Sequence, residues 1–145
     1  MNQPVIKNKK AEFEYLLHTR YSAGIMLTGT EVKSLRDGKA NIADAFCVLV
    51  NGELWIRNMH ISEYKEGSYS NHEPKRQRKL LLTKSELRKI LSKMREKGLT
   101  IVPIQLYFNE RGYAKIDIAI AKGKKSYDKR QAMKEKAARR ELRES

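Results

Sequence analysis

The side chains that most often carry out catalysis are few and scattered in this sequence. Three histidines, His18, His60 and His72, lie far apart and form no H-x-x-x-H pair. The single cysteine, Cys47, alternates with apolar neighbours in a predicted strand, which is typical of a small packed thiol. The chain contains no phosphate-binding loop, no G-x-S-x-G motif and no dinucleotide fingerprint. We therefore expect neither an enzyme nor a metal or cofactor site.

The basic side chains are the ones that could do chemistry, and that chemistry is binding. The chain of 145 residues has 31 Lys and Arg against 17 Asp and Glu, a formal net charge of +14. This excess favours a nucleic acid partner, because each phosphate that Lys or Arg neutralises releases counterions. No apolar run is long enough to span a membrane, and the N-terminus lacks the apolar stretch of a secretory signal. We therefore expect a cytoplasmic protein.

A short helix predicted over residues 30–37, ending at Gly38, carries the most specific binding pattern. Lys33 and Arg36 lie three residues apart and so share one face of this helix. Glu31 could accept hydrogen bonds from a guanine edge, and basic residues with Ser and Asn can hold phosphate and 2′-hydroxyl oxygens. An ordinary solvated helix face explains the same spacing equally well. The helix and the loop after it contribute Ser34, Lys39 and Asn41 to the candidate surface.

Two aromatic side chains are candidate platforms for unpaired bases. Trp55 and Tyr113 both lie on the predicted outer faces of strands, where a ring can stack on a base. Packing against a side chain of the neighbouring strand is an equally plausible role for either ring. The spacing alone does not choose between the two roles.

Alternation of apolar and polar residues predicts the strands that must position these side chains. Asn51-Gly52 is a strong signal for a two-residue hairpin turn. In the last predicted strand, every second residue from Ala114 to Ile120 is apolar, the pattern of a half-buried strand. The predicted pairs of strands are 14–18 with 23–27, 45–50 with 53–57, and 101–108 with 113–121.

One strongly marked helix separates the fourth and fifth predicted strands. Thr83 and Glu86 have the spacing of a capping box, and Leu87, Ile90 and Leu91 follow at helical spacing. We expect Gly98 to end this helix and residues 65–79 to form a polar loop. Six short strands with few helices predict a mainly β protein, and a closed antiparallel barrel of the OB type is the best-known small barrel that binds oligonucleotides.

The end of the chain differs in composition from the rest. Residues 121–145 contain ten basic and four acidic side chains and few large apolar ones. Such a segment buries too little apolar surface to offset the entropy lost on ordering. We expect a folded domain over residues 1–122 and a basic tail over residues 123–145 that is disordered when free and becomes helical against phosphates. A simple solubilising tail is the alternative.

Several sequence blocks together resemble one bacterial family. They read GTEVKSLR at 29–36, GKAN at 38–41, NMHI at 58–61, RKLLL at 78–82, KGLTIVP at 97–103, AKGKK at 121–125 and YDKR at 127–130. In this order they resemble the SsrA-binding protein (small protein B) family. Residues 135–145 match that family only in their Lys, Arg and Glu character.

The resemblance implies both a fold and a function. The implied fold is a six-stranded OB-type barrel, closed and antiparallel, with about three flanking helices and a basic C-terminal tail. The implied function is that of a non-enzymatic, monomeric adaptor in ribosome rescue. Such an adaptor binds the tRNA-like domain of transfer-messenger RNA and delivers it to ribosomes stalled on messages without a stop codon. Its tail enters the empty message channel of the small subunit.

The resemblance also implies the residues that carry each half of this function. Contacts to RNA are expected from Lys9, Glu31, Lys33, Ser34, Arg36, Lys39, Asn41 and Lys79. Contacts of the tail with the ribosome are expected from Gly123, Lys124, Lys125, Tyr127, Asp128, Lys129, Arg130, Lys134 and Lys136. Charge and composition alone leave two other functions open, a structural ribosomal protein with the same barrel and a small RNA nuclease with scattered acidic residues.

Overall fold

A computed structural model describes residues 4–66 and 71–124 and is mainly β. Within these residues nine strands and three helices are formed. The strands are β1 (Ile6–Lys7), β2 (Tyr15–Ile25), β3 (Ala40–Asn41), β4 (Phe46–Val50), β5 (Glu53–Arg57), β6 (His60–Ile61), β7 (Arg78–Leu81), β8 (Leu99–Phe108) and β9 (Ala114–Gly123). The helices are α1 (Lys9–Glu14), α2 (Gly29–Arg36) and α3 (Lys84–Lys93). No helix among the described residues is long and apolar enough to span a bilayer.

Six strands pair in a ring. The order is β8, β4, β5, β7, β2 and β9, and β9 pairs again with β8. Every one of these pairings is antiparallel. Strand β1 adds to β8 outside the ring, whereas β3 and β6 form a separate two-stranded sheet. The mainly β class is therefore confirmed, and the ring has the predicted number of strands.

The interior of the ring holds the hydrophobic core. In β9, Ile116, Ile118 and Ile120 are buried, as their alternation predicts. Leu35 of α2 and Ile90 of α3 pack into the same cluster. A smaller cluster of Ala11, Val102 and Ala121 packs α1 against β8 and β9, which fixes α1 to that part of the sheet.

Local turn and capping signals are confirmed by the backbone. Asn51 and Gly52 have φ values of 50° and 76°, the left-handed conformation that a tight hairpin needs. Helix α3 has the predicted capping box, since Thr83 accepts from the Glu86 N–H and Glu86 accepts from the Thr83 N–H. The helix ends at Lys93, however, and Gly98 lies beyond it.

The predicted hairpin of strands 14–18 and 23–27 is wrong. Residues 15–18 and 23–25 of the two segments belong to the single strand β2, and the supposed link, residues 19–22, pairs largely with β9. The reason lies in the sequence, because Thr-Arg-Tyr-Ser contains no Gly, Pro or Asn to form a turn. Instead of a turn, the pairing of β2 with β9 has a register shift between Leu17 and Arg20.

Strand β7 and helix α1 are elements that the sequence analysis does not predict. Strand β7 lies where a polar loop over residues 65–79 is expected, and it completes the ring between β5 and β2. Its first residue, Arg78, is fully buried, and a buried arginine is rare unless a partner compensates its charge.

Candidate RNA interface

Helix α2 begins with a capping box that uses one of the candidate residues. Thr28 accepts a hydrogen bond from the Glu31 N–H, and Glu31 accepts one from the Thr28 N–H at 2.8 Å. This exchange satisfies backbone donors at the start of the helix. The Glu31 side chain is therefore directed back along the helix, and its exposure is 0%.

Two arginines bind the buried carboxylate of Glu31. Arg76 Nη2 lies 2.6 Å from Glu31 Oε1, and Arg78 Nε donates to Glu31 Oε2. Arg78 also donates to the carbonyl oxygens of Met59 at 2.7 Å and Pro74 at 3.1 Å. One guanidinium group thus joins α2 to the chain around residues 59 and 74 and to β7. We call Glu31, Arg76 and Arg78 the arginine clamp.

Electrostatics in the arginine clamp favour the charged pair. Burial would raise the pKa of Glu31, but hydrogen bonds from Arg76 and Thr28 and the charge of Arg78 lower its pKa below the ordinary value. Burial lowers the pKa of Arg78, and Glu31 opposes that effect. The clamp is therefore an ion pair inside the protein, fully partnered on the carboxylate side.

A buried histidine, His72, also holds α2 in place through hydrogen bonds. His72 Nε2 lies 2.9 Å from the Ile61 carbonyl oxygen, and Nδ1 lies 2.9 Å from Thr30 Oγ1. Since a carbonyl oxygen can only accept, Nε2 carries the proton in this arrangement. Sequence analysis missed this role, because Thr30 and His72 are 42 positions apart.

The arginine clamp divides the predicted α2 residues into two groups. Glu31 and Ser34 are buried, so a direct contact between either side chain and RNA would require α2 to move. Lys33, Arg36 and Lys39 are exposed, as predicted for a binding face. We call Lys33, Arg36 and Lys39 the α2 cations.

Aromatic rings hold two of the α2 cations in place. The Lys33 Nζ atom lies 5.5 Å from the centre of the Tyr64 ring, and the Arg36 guanidinium carbon lies 5.9 Å from the centre of the Phe108 ring. These contacts limit the freedom of both side chains and leave their charges exposed.

The remaining predicted residues are spread over several elements. Asn41 is exposed, although its Oδ1 accepts from the Ala43 N–H at 2.8 Å. Lys9 is exposed at the start of α1, and Lys79 lies on β7 with its Nζ 3.3 Å from a carboxylate oxygen of Glu53. The structure therefore brings the α2 cations together but places Lys9 and Lys79 on other elements.

Only the root of the predicted tail falls within the described residues. Gly123 pairs with Tyr15 at the end of β9, and Lys124 Nζ donates to the Glu12 carbonyl oxygen at 2.8 Å. The regular sheet thus continues through Gly123, the first residue of the predicted tail. The other predicted contacts lie outside the described residues; they are Lys125, Tyr127, Asp128, Lys129, Arg130, Lys134 and Lys136.

Comparison with known proteins identifies the family. The family model described as SmpB protein matches residues 5–145. The chain belongs to the SmpB family. The SsrA-binding protein of Phocaeicola vulgatus is 57% identical over 137 residues, which cover 94% of this chain and 91% of the relative. That of Bacteroides thetaiotaomicron is 56% identical over 144 residues, which cover 98% and 96%. The resemblance stated from the sequence blocks is thereby confirmed.

A solved structure agrees with the family. It is described as "tmRNA-SmpB: a journey to the center of the bacterial ribosome", and one of its chains is 51% identical to this SmpB protein. The match has a TM-score of 0.70 and covers 83% of this chain and 84% of that one. The described fold is therefore shared with the protein of that structure.

The surface of this SmpB protein also includes an apolar hollow that the sequence analysis missed in part. Tyr113, which is 67% exposed, and Leu81, which is 48% exposed, line a hollow of about 330 Å³ together with Gly24 and Lys115. Tyr113 is therefore open to stack on a base, whereas Trp55 is half-buried opposite Val48 and Lys79. The apolar run at residues 80–82 is a signal that could have indicated this surface, since its middle residue, Leu81, is exposed.

The three histidines and the single cysteine all lie among the described residues. Among residues 4–66 and 71–124, no group of three His, Cys, Asp or Glu side chains could hold a metal ion. Cys47 is buried, and burial raises its pKa well above the ordinary value. A thiol in that state is a poor nucleophile, so the interpretation of Cys47 as a packed side chain is confirmed.

Proposed function

We propose that this protein is an RNA-binding adaptor of trans-translation. It binds the tRNA-like domain of transfer-messenger RNA and delivers that RNA to stalled ribosomes, where the incomplete polypeptide is tagged. The observation that carries the proposal is the similarity over nearly the full length to proteins named SsrA-binding protein. The neighbour described as a complex of transfer-messenger RNA and SmpB on the bacterial ribosome supports the same partners. The protein is an adaptor and not an enzyme, acts in the cytoplasm and works as a monomer.

The described charges give this function a physical basis. The α2 cations are exposed; the arginine clamp holds α2, and aromatic rings contact Lys33 and Arg36. Cations in fixed positions match one arrangement of phosphates better than others, so they can select an RNA shape rather than a sequence. The hollow beside Tyr113 adds a ring on which an unpaired base can stack.

The finer features of the fold and the tail belong to the same proposal. The ring of six antiparallel strands is an OB-type barrel, closed by the pairing of β8 with β9. Residues 123–145 form the basic tail that enters the message channel of the small subunit and becomes helical there. The high positive charge of residues 121–145 supports this role, because message and tail would compete for the same negatively charged walls. The alternative function, a structural ribosomal protein, is disfavoured because the relatives are named SsrA-binding protein.

A filter-binding titration tests the function. Labelled transfer-messenger RNA is titrated with the full chain at two salt concentrations, with excess ordinary tRNA as competitor. We expect binding that survives both the competitor and the higher salt, because oriented contacts add to phosphate attraction. Binding that disappears with the competitor would reduce the interaction to unspecific attraction and would contradict the proposal.

A further inference from the structure

A second cationic groove lies away from α2, on the outside of the sheet beside α1. It has a volume of about 250 Å³ and is lined by Lys7, Asn8, Lys9, Glu12, Arg20, Ile104 and Gln105. The cations come from three elements, β1, α1 and β2. Only Lys9 is among the residues expected from the family resemblance. We call this site the α1 groove.

The three cations of the α1 groove are available to an external anion. Lys7, Lys9 and Arg20 are all exposed. Within residues 4–66 and 71–124 none of them forms an ion pair or a side-chain hydrogen bond. The one acidic side chain in the lining, Glu12, is also exposed and leaves an excess of positive charge.

The backbone that carries these cations is firmly held. Asn8, between Lys7 and Lys9, is buried; its Nδ2 donates to the Pro103 carbonyl oxygen at 2.9 Å, and its N–H donates to the Ile104 carbonyl oxygen at 2.8 Å. The Asn8 Oδ1 caps α1 by accepting from the Ala11 N–H at 3.2 Å. This one residue therefore fixes the directions in which the chain presents Lys7 and Lys9.

The groove floor is also ordered by hydrogen bonds. Gln105 pairs with Lys7 across β8 and β1, and its Nε2 donates to Asp117 Oδ2 at 2.8 Å. Tyr107 donates to the other oxygen of Asp117 at 3.0 Å. Both carboxylate oxygens of Asp117 are thus partnered, which weakens the repulsion of an anion near Gln105.

The lining and the position of the groove together indicate its ligand. Among the described residues no aromatic ring lines it, so the lining offers bases nothing to stack on, and charge is the main recognition element. Lys124, where the basic tail begins, reaches the carbonyl oxygen of the lining residue Glu12. We propose that the α1 groove binds the sugar-phosphate backbone of an RNA strand through Lys7, Lys9 and Arg20. This inference rests on the proposed function and adds an RNA contact beside α1, next to Lys124.

Charge removal at matched positions tests the groove. The variants are Lys7→Gln, Lys9→Gln, Arg20→Gln and the triple variant, with Arg88→Gln and Lys89→Gln on the exposed face of α3 as controls of equal charge. Binding to transfer-messenger RNA and to isolated small ribosomal subunits is titrated over a range of salt concentrations. Each lost phosphate contact is expected to reduce the slope of log K against log salt by about 1 for at least one of these RNAs. The α3 controls are expected to leave the slope unchanged.

One variant is expected to strengthen RNA binding, so that a loss of binding caused by misfolding can be told apart from the loss of a contact. Glu12→Gln removes the only negative charge from the lining and is expected to strengthen RNA binding about twofold or more, which a damaged fold cannot do. The proposal for the α1 groove would be overturned if the groove and α3 variants had equal slopes of log K against log salt with both RNAs. It would also be overturned if Glu12→Gln did not strengthen RNA binding. Failure of the unaltered protein to prefer transfer-messenger RNA over tRNA would instead overturn the proposed function.

Discussion

The arginine clamp and the α1 groove use similar charged side chains in opposite ways. In the clamp, the buried Arg78 and the partly exposed Arg76 neutralise a carboxylate that is completely buried. In the groove, Lys7, Lys9 and Arg20 face outward and have no charged partner within the described residues. Net charge alone does not distinguish the two, because it counts a cation inside an ion pair and a free cation equally. The fold decides which charges hold the protein together and which ones remain for RNA.

Two glutamates near the starts of helices, Glu31 and Glu12, show the same contrast between an inward-facing and an outward-facing charge. Glu31 in the first turn of α2 accepts hydrogen bonds from Thr28, Arg76 and Arg78. Glu12 in the first turn of α1 is exposed, and its side chain lines the groove. Glu31 is the third residue of α2, the capping-box position, whereas Glu12 is the fourth residue of α1. Arg78 of β7 and Arg76 just before it bind Glu31, so Glu31 is structural, whereas Glu12 lines an exposed groove.

The largest expected effect is the loss of stability when the arginine clamp is broken. Glu31→Ala leaves the buried Arg78 guanidinium without its counter-charge, and Arg78→Met leaves the buried Glu31 carboxylate with Arg76 as its remaining cation. Removing one partner of a buried ion pair lowers the free energy of unfolding by about 3–5 kcal/mol. Urea unfolding followed by circular dichroism measures this loss. The double variant is expected to lose less than the sum of the two single losses, because both fully buried charges are gone and Arg76 is partly exposed to solvent.

A loss of stability in Glu31→Ala alone would show that the arginine clamp stabilises the fold and that the α2 cations do not. Lys33→Ala is the matched control on the same helix, and we expect it to unfold at nearly the same urea concentration as the unaltered protein. If Glu31→Ala were as stable as Lys33→Ala, the clamp would have no structural importance, and Glu31 would again be a candidate for direct RNA contact.

A smaller effect is expected when pH removes the charge of Glu31 without changing the sequence. The pKa of Glu31 in the folded protein lies below its ordinary value of 4.5. The unfolded chain therefore takes up the proton first as pH falls, so stability from the clamp is present above about pH 4.5 and is lost as pH falls through the folded pKa. The difference in unfolding free energy between the unaltered protein and Glu31→Gln should narrow below pH 4.5. A difference that stays constant down to pH 3 would contradict the lowered pKa.

The smallest effect is expected for an ion pair at the surface. Lys93 and Glu96 lie 3.0 Å apart at the end of α3, and both side chains are largely exposed. Solvent and salt weaken such a pair, so Glu96→Gln should lower the free energy of unfolding by only about 0.5 kcal/mol or less. A loss comparable to that of Glu31→Ala would mean that burial does not distinguish the internal charges from the external ones.

Local signals predicted some elements correctly because their causes are local. The Asn51-Gly52 turn, the Thr83 capping box and the alternation from Ala114 to Ile120 each depend on neighbours within a few residues. Strand β7 could not be predicted in this way, since Arg78 is charged and its buried partner, Glu31, lies 47 positions earlier in the chain. A search for alternation assigns such a residue to a surface loop.

The candidate site shows the same division. Lys33, Arg36 and Lys39 are exposed, as helical spacing predicts, whereas Glu31 and Ser34 are covered by elements that the sequence does not place beside them. The α1 groove was inaccessible to sequence reasoning for a related reason. Lys7 and Arg20 come together with Lys9 only because β1 pairs with β8 and β2 runs without a break past the predicted turn.

Chemical footprinting of lysines tests most directly the claim that the outward-facing cations bind RNA. The full chain is acetylated with and without saturating transfer-messenger RNA, and mass spectrometry measures the modification of each lysine. We expect RNA to protect Lys33 and Lys39 beside α2 and Lys9 in the α1 groove, while Lys89 on α3 remains reactive. Equal modification of all four lysines in the two samples would contradict the account.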